Sequence, residues 1–223
     1  IRRTRIELQW RRNRSRKGKK QTMVIYGERI ALRSMEERDT ADIIRWRNTD
    51  FVRKNFIYQK PFTAETHHHW VETMVKTGKV VQFMICPYDA DTENEAAQEE
   101  PGRQGQTADT GLKIIQNAVG SVYLRDIDET HHKAEYGIFI GEEEALSKGY
   151  GTEAAQLMLQ YAFETLHLHK VMLRVLAENT QAQKSYEKAG FRQEAYLKDE
   201  VFLNGRFCDV ILMACICDDD SIT

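Results

Sequence analysis

Between Glu135 and Leu166 the chain reads EYGIFIGEEEALSKGYGTEAAQLMLQYAFETL, and no other stretch limits the fold as much. Tyr136 to Ile140 is a short apolar run bounded by glycines, the pattern of a buried strand. The loop Lys148-Gly149-Tyr150-Gly151-Thr152 follows and opens directly into a helix over about Thr152–Leu166. Strand, Gly-x-Gly turn and helix in this order make a backbone anion site. The first helical turn leaves N–H groups without internal partners, and the macrodipole adds partial positive charge. Glycines let an anion approach those amides, because no Cβ stands in the way.

The surroundings narrow the choice. No Gly-Lys-Ser/Thr ending follows the glycines, which argues against a P-loop nucleotide site. Beyond Gly151 come Thr152, Glu153 and Ala154, so the dinucleotide fingerprint is only a degenerate match. A second element lies about 30 residues downstream. Asn179 stands where an N-cap belongs and Gly190 where a C-terminal helix glycine belongs. Tyr186, seven residues after Asn179, is two helical turns on and on the same face.

In this order and spacing, KGYGTEA and N-x6-Y-x3-GF resemble the two cofactor motifs of the GNAT N-acetyltransferase superfamily. The resemblance spans about Met23–Cys217 and is nearest to the branch of ribosomal-protein alanine and spermidine acetyltransferases. It implies a single acyl-CoA N-acyltransferase fold, an α/β class with one mixed sheet, helices on both faces and a C-terminal β-hairpin. It implies acetyl-CoA as co-substrate, with its pyrophosphate on Lys148, Gly149, Tyr150, Gly151 and Thr152. The family usually carries Arg or Gln three residues before the first loop glycine. Leu146 stands there, which leaves more of the phosphate to the amides and Lys148. The resemblance further implies that Ile138 and Ile140 give backbone hydrogen bonds to the pantetheine, that the N–H near Phe139 faces the oxyanion, and that Asn179 lies near the same arm. Tyr186 matches the family's acid for the leaving thiolate. Glu135, at the start of the central strand, is the candidate base; a strand-end pair with Lys133 is its alternative role. His131 and His132 are weaker candidates in a polar turn.

Over the whole chain the net charge is −2. Residues 1–22 hold ten Lys/Arg and one acid, a basic tail read as disordered or non-native, with Met23 as the better beginning. Residues 87–110 carry −6 and Asp218 to Asp220 carry −3. With the tail's +9 and these acids set aside, the folded part is close to neutral, so its charge does not select a substrate. The polar, acidic run over 88–110 reads as a disordered insertion, and 218–223 as an acidic tail. No 18-residue apolar run and no h-region is present, so no membrane partner is expected. Cys86, Cys208, Cys215 and Cys217 lack framework spacing and read as reduced thiols, giving a cytoplasmic expectation. His67-His68-His69 point about 100° apart on a helix over about Ala64–Thr77, so they do not converge on one metal ion, and no metal site is expected.

The remaining elements fill out the sheet. Strand character runs over Val24–Ser34, Lys79–Cys86, two pieces within Gly111–Asp126, and Lys170–Leu176. A helix is expected over about Thr40–Asn48, with Asp39 or Thr40 as cap. The chain ends in a hairpin, Glu194–Leu203 and Arg206–Ile216, about an Asn204-Gly205 turn of type I′. Between the first helix and the histidines, aromatic and basic residues interleave. In the resembled family this region walls the acceptor side, so Trp46, Arg47, Asn55 and Tyr58 are candidate substrate contacts; packing on the sheet with solvated charges is the alternative. The segment also resembles the acceptor side of amino-sugar acetyltransferases.

The expected reaction is acetyl transfer to a primary amine by direct attack on the thioester. Polyamines, protein N-termini, nucleotide-linked amino sugars and aminoglycosides all offer such amines, and fold does not choose among them. A non-catalytic acyl-CoA sensor is the rival reading, and nucleic-acid binding through residues 1–22 is a third, less favoured one. The resemblance also allows a homodimer.

Overall fold

The computed structural model describes residues 23–88 and 117–217. The tails over 1–22 and 218–223 lie outside that range, as does almost all of the insertion expected over 88–110. Its first residue, Tyr88, belongs to the sheet. The Tyr88 amide donates to the Arg29 carbonyl at 3.0 Å and its hydroxyl to the Gly27 carbonyl at 3.2 Å.

Eight strands form one sheet in the order β1-β2-β3-β4-β5-β6-β8-β7. β1 (Val24–Tyr26) and β2 (Ile30–Ser34) make an antiparallel pair, followed by β3 (Val81–Pro87), β4 (Gly120–Asp128) and β5 (Lys133–Ile140). The single run expected over Val24–Ser34 is therefore two strands. The chain reverses at Gly27, whose amide donates to the Ile30 carbonyl at 2.8 Å. β6 (Lys170–Leu176) runs parallel to β5 and antiparallel to β8 (Arg206–Ile216), and β8 pairs with β7 (Arg192–Leu203). Asn204 and Gly205 both have positive φ, 50° and 82°, as a type I′ turn requires.

Side-chain alternation sends the sheet's two faces to different helices. Phe83, Ile85, Val122, Leu124 and Tyr136 face α4 (Tyr150–Glu164) and α5 (Thr180–Ala189) in the main core. Met84, Cys86 and Phe139 point the other way, onto Ile43 and Trp46 of α1 (Thr40–Asn48) and Val52 of α2 (Asp50–Arg53). α3 (Ala64–Trp70) begins at a capping box, in which Thr63 accepts from the Thr66 amide and the Thr66 side chain accepts from the Thr63 amide. The expected single helix through Thr77 instead passes into a π-helical turn over Val71–Val75. Asp39 does not cap α1 with its side chain; it pairs with Arg33 at 2.8 Å and accepts from the Glu36 amide at 2.7 Å.

Candidate active site

The sheet opens at β5. Its parallel pairing with β6 covers only Lys133 with Lys170, Ala134 with Val171 and Glu135 with Met172. β4 stays with β5 as far as Ile140, and β8 stays with β6 as far as Leu176. From Tyr136 onward the facing edges diverge, and their backbone groups lack a strand partner across the gap. Such groups need partners from elsewhere. A cavity of about 670 Å³ occupies the divergence, lined by Tyr136 to Ile140 on one side and Leu173 to Val175 on the other.

One end of the cavity is the start of α4. Gly149 has φ 80°, a left-handed conformation that favours glycine, and a Cβ there would press on the Arg29 guanidinium at 2.9 Å. The first helical bond runs from the Glu153 amide to the Gly149 carbonyl at 3.1 Å. The amides of Tyr150, Gly151 and Thr152 precede that bond, and these three residues line the cavity. Arg29 braces the loop from behind. It donates to the Lys148 carbonyl at 2.8 Å, and its backbone and Nε donate to the Glu153 carboxylate at 2.9 and 3.1 Å. Glu153 is buried, so this pair fixes the loop to the β1–β2 turn.

Four of the five predicted loop residues line the cavity; Lys148 does not. It is exposed, and its carbonyl faces Arg29. Cations at this end come instead from Lys184 and Lys188, one turn apart on α5 and both on the cavity wall. The Thr152 and Ser185 hydroxyls bond at 2.8 Å and tie α4 to α5. Asn179 caps α5, accepting from the Ala182 amide at 3.2 Å, and still lines the gap. The unsatisfied strand edge, the free helix amides and the two lysines fit the arm and phosphates of an acyl-CoA.

Tyr186 projects from α5 into the gap, its ring centroid 6.1 Å from that of Tyr136 and 6.0 Å from that of Phe191. Burial, and then the nearby Tyr123, push its phenol well above the ordinary range, so it stays protonated at physiological pH. The buried Tyr136 hydroxyl has no hydrogen-bond partner among the described residues.

The far side of the sheet supplies the other end of the cavity. Arg47, Asn55 and Tyr58 line it. Trp46 does not. It is fully buried, and its indole donates to Glu142 Oε1 at 2.8 Å; one step along α1 turns it into the core and Arg47 towards the cavity. Glu135 is the only carboxylate on the wall among the described residues. Its partner is not Lys133. Arg125 Nη2 donates to Oε1 at 2.7 Å, while Arg174 reaches Oε1 at 3.3 Å and Oε2 at 3.5 Å. His131 is exposed and bonded to Asp128 at 2.8 Å, away from the cavity.

Sequence reasoning missed Arg125, Arg174 and His67 on this wall. His68 and His69 are exposed, but His67 is 2 % exposed, and burial lowers its pKa so that it is neutral at pH 7. Spacing held a usable clue: His67, Trp70 and Met74 recur at helical intervals, which marks the inward face.

A sheet split beside a Gly-x-Gly helix start is the architecture of an acyl-CoA N-acyltransferase. Residues 29–192 match the Acetyltransferase (GNAT) domain family, and the chain belongs to it. A spermidine N(1)-acetyltransferase of Vibrio cholerae is 40% identical over 94 residues, which cover 42% of this chain and 54% of that protein. The chain thus matches about half the length of that relative. A putative ribosomal N-acetyltransferase of Bacillus subtilis is 30% identical over 146 residues, covering 63% of this chain and 78% of its own. Among solved structures, the Vibrio cholerae spermidine N-acetyltransferase in complex with CoA and spermine superposes with TM-score 0.68 at 25% identity. That match covers 85% of this chain and 96% of that one.

Proposed function

We propose that the protein is an acetyl-CoA-dependent N-acetyltransferase acting on a primary amine. The observation that carries this is the gap between β5 and β6, which opens beside free helix amides and holds Tyr186 on its wall. Acetyl-CoA supplies the acyl group already activated as a thioester. The amides of Tyr150, Gly151 and Thr152, with Lys184 and Lys188, hold the pyrophosphate. The β5 edge at Ile138 and Ile140 holds the pantetheine amides, and Asn179 closes on the same arm. The Phe139 N–H serves the oxyanion; one such donor contributes about 3 kcal/mol to lowering a barrier of this kind.

As the amine attacks, an N–C bond forms and the C–S bond breaks. Tyr186 gives its proton to the departing sulfur and is reprotonated by the proton the amine loses. An alkylammonium must shed its first proton before it attacks, and that proton is released to solvent, one per turnover. Glu135 is held on both oxygens by guanidinium groups. Its part in this scheme is to fix Arg125 and Arg174 at the acceptor end, and bulk water takes the amine's first proton. A passive acyl-CoA sensor would have no use for a proton donor facing the gap or for a charged pocket beyond it. Calorimetry should show acetyl-CoA binding, and a thiol-release assay with a panel of primary amines should show turnover. Binding without thiol release from any amine would leave the sensor reading in its place.

A further inference from the structure

Among the described residues, two side chains on the acceptor wall lack the partners their chemistry calls for. Arg47 leaves α1 over the ring of Phe56, its Cζ 3.5 Å from the centroid, and lies 5.3 Å from the centroid of Phe62. Burial pulls its pKa down, and among the described residues no carboxylate or carbonyl accepts from it. Arg45, two positions earlier, is held by Asp42 and Glu142 at 2.9 and 2.6 Å. Contact with an aromatic face eases the desolvation of a cation but does not replace a counter-ion. His67 is the second case. It is 2 % exposed, and among the described residues neither ring nitrogen has a hydrogen-bond partner. Its ring centroid lies 5.8 Å from that of Phe62. Arg47 and His67 therefore flank the same ring on the same wall, offering a guanidinium fork and an imidazole N–H.

The charge around them points the same way. Arg47, Lys54, Arg125 and Arg174 line this end of the cavity, with Glu135 the one carboxylate against them among the described residues. A polyamine would bring several positive charges to a wall that is already cationic. Resting on the acetyltransferase reading above, we infer that the acceptor amine carries an anionic group, a phosphate or a carboxylate, received by Arg47 and His67. A guanidinium presents paired donors that match either anion, and the aromatic platform holds its plane in place. The ligand supplies the counter-charge that the described residues withhold from Arg47.

The test uses saturating acetyl-CoA and pairs of amines matched in size. Glucosamine 6-phosphate is compared with glucosamine, and β-alanine with 3-aminopropanol, which separates phosphate from carboxylate; spermidine is the polycation. The anionic member of at least one pair should exceed its uncharged partner and spermidine by about tenfold or more in kcat/KM. Arg47→Met should raise KM for that amine on the order of 10-fold to 100-fold, with a smaller change in kcat, as loss of a charge-assisted contact predicts. Its effect on the uncharged partner should be smaller. His67→Leu should raise the same KM without lowering the melting temperature, since it removes a buried polar group without a partner among the described residues. Preference for spermidine or the uncharged amines, failure of both anionic amines, or an equal effect of Arg47→Met on both members of a pair would overturn the inference. Acetyl-CoA affinity, measured separately, distinguishes the two failures. If acetyl-CoA binds and spermidine is preferred, the enzyme reading stands and this one falls; if acetyl-CoA does not bind, the enzyme reading falls first.

Discussion

At Tyr186 the difference between a catalyst and a binder comes down to one oxygen. Tyr186→Phe keeps the ring that meets Tyr136 and Phe191 and removes only the proton donor. General acid catalysis contributes about 10²–10⁴-fold, so kcat should fall within that range while acetyl-CoA affinity barely changes. Wild-type turnover by this variant, with chemistry rate-limiting, would end the acid assignment. Glu135→Gln is its counterpart. If Glu135 organises Arg125 and Arg174, the substitution should act mainly on KM for the acceptor, and by a similar factor at every pH. A base would behave otherwise: the loss would be greatest near neutrality and would partly recover on the alkaline side, where the amine is already free. Motif spacing was enough to pick out Tyr186 and the loop glycines, which line the cavity. It did not separate Trp46 from Arg47, or His67 from its two neighbours, because burial on a short helix depends on which sheet strand lies beneath it. The Glu135 partnership was out of reach for a similar reason. Arg125 sits opposite Glu135 only through the β4–β5 register, and Arg174 is 39 residues away in sequence.

At the scale of elements, local chemistry was most legible where it was redundant. Lys170–Leu176 has the expected bounds, and so does the helix over Thr40–Asn48. Asn179 and Gly190 bracket α5 as cap and C-terminal glycine. Gly27 was less legible, since an isolated glycine in an apolar run reads equally as strand interior or turn. The β5–loop–α4 unit holds the prediction that belongs here. A Cβ at Gly151 would make only ordinary contacts, 3.9 Å from Ile138 and from Ser185, and Gly151 does not have positive φ. The fold therefore accepts a side chain at this position, whereas a phosphate seated on the amides does not. Gly151→Val should leave the unliganded melting temperature within a few degrees and weaken acetyl-CoA strongly. Unchanged affinity in calorimetry would mean that the phosphates sit elsewhere. The same change at Gly149 would test less, because it would also displace Arg29 and with it the brace on Glu153.

For the whole molecule, the consequential fact is that strands β1 to β5 and strands β6 to β8 share one sheet through only three residue pairs. Below Glu135 the sheet is continuous; above it the two sets of strands are held together by the helices that cross the gap. α4 packs against the β2–β5 side, and α5 joins it through the Thr152–Ser185 bond and the core around Phe191. A ligand that bonds to the β5 edge, the α4 amides and α5 at once adds a strut where the sheet lacks one. Binding to the folded state alone stabilises it by about 2.7 kcal/mol at a ligand concentration 100 times Kd. For a domain of this size that corresponds to a rise in melting temperature of roughly 5–10 °C. Acetyl-CoA should therefore produce such a shift in a thermal melt of the full chain. Gly151→Val should abolish it while leaving the unliganded transition in place, whereas Arg47→Met, at the other end of the cavity, should preserve it. A wild-type melt that does not move at saturating acetyl-CoA would show that the gap is not where the cofactor binds, and a shift lost in both variants would show that the two ends of the cavity do not work as separate sites.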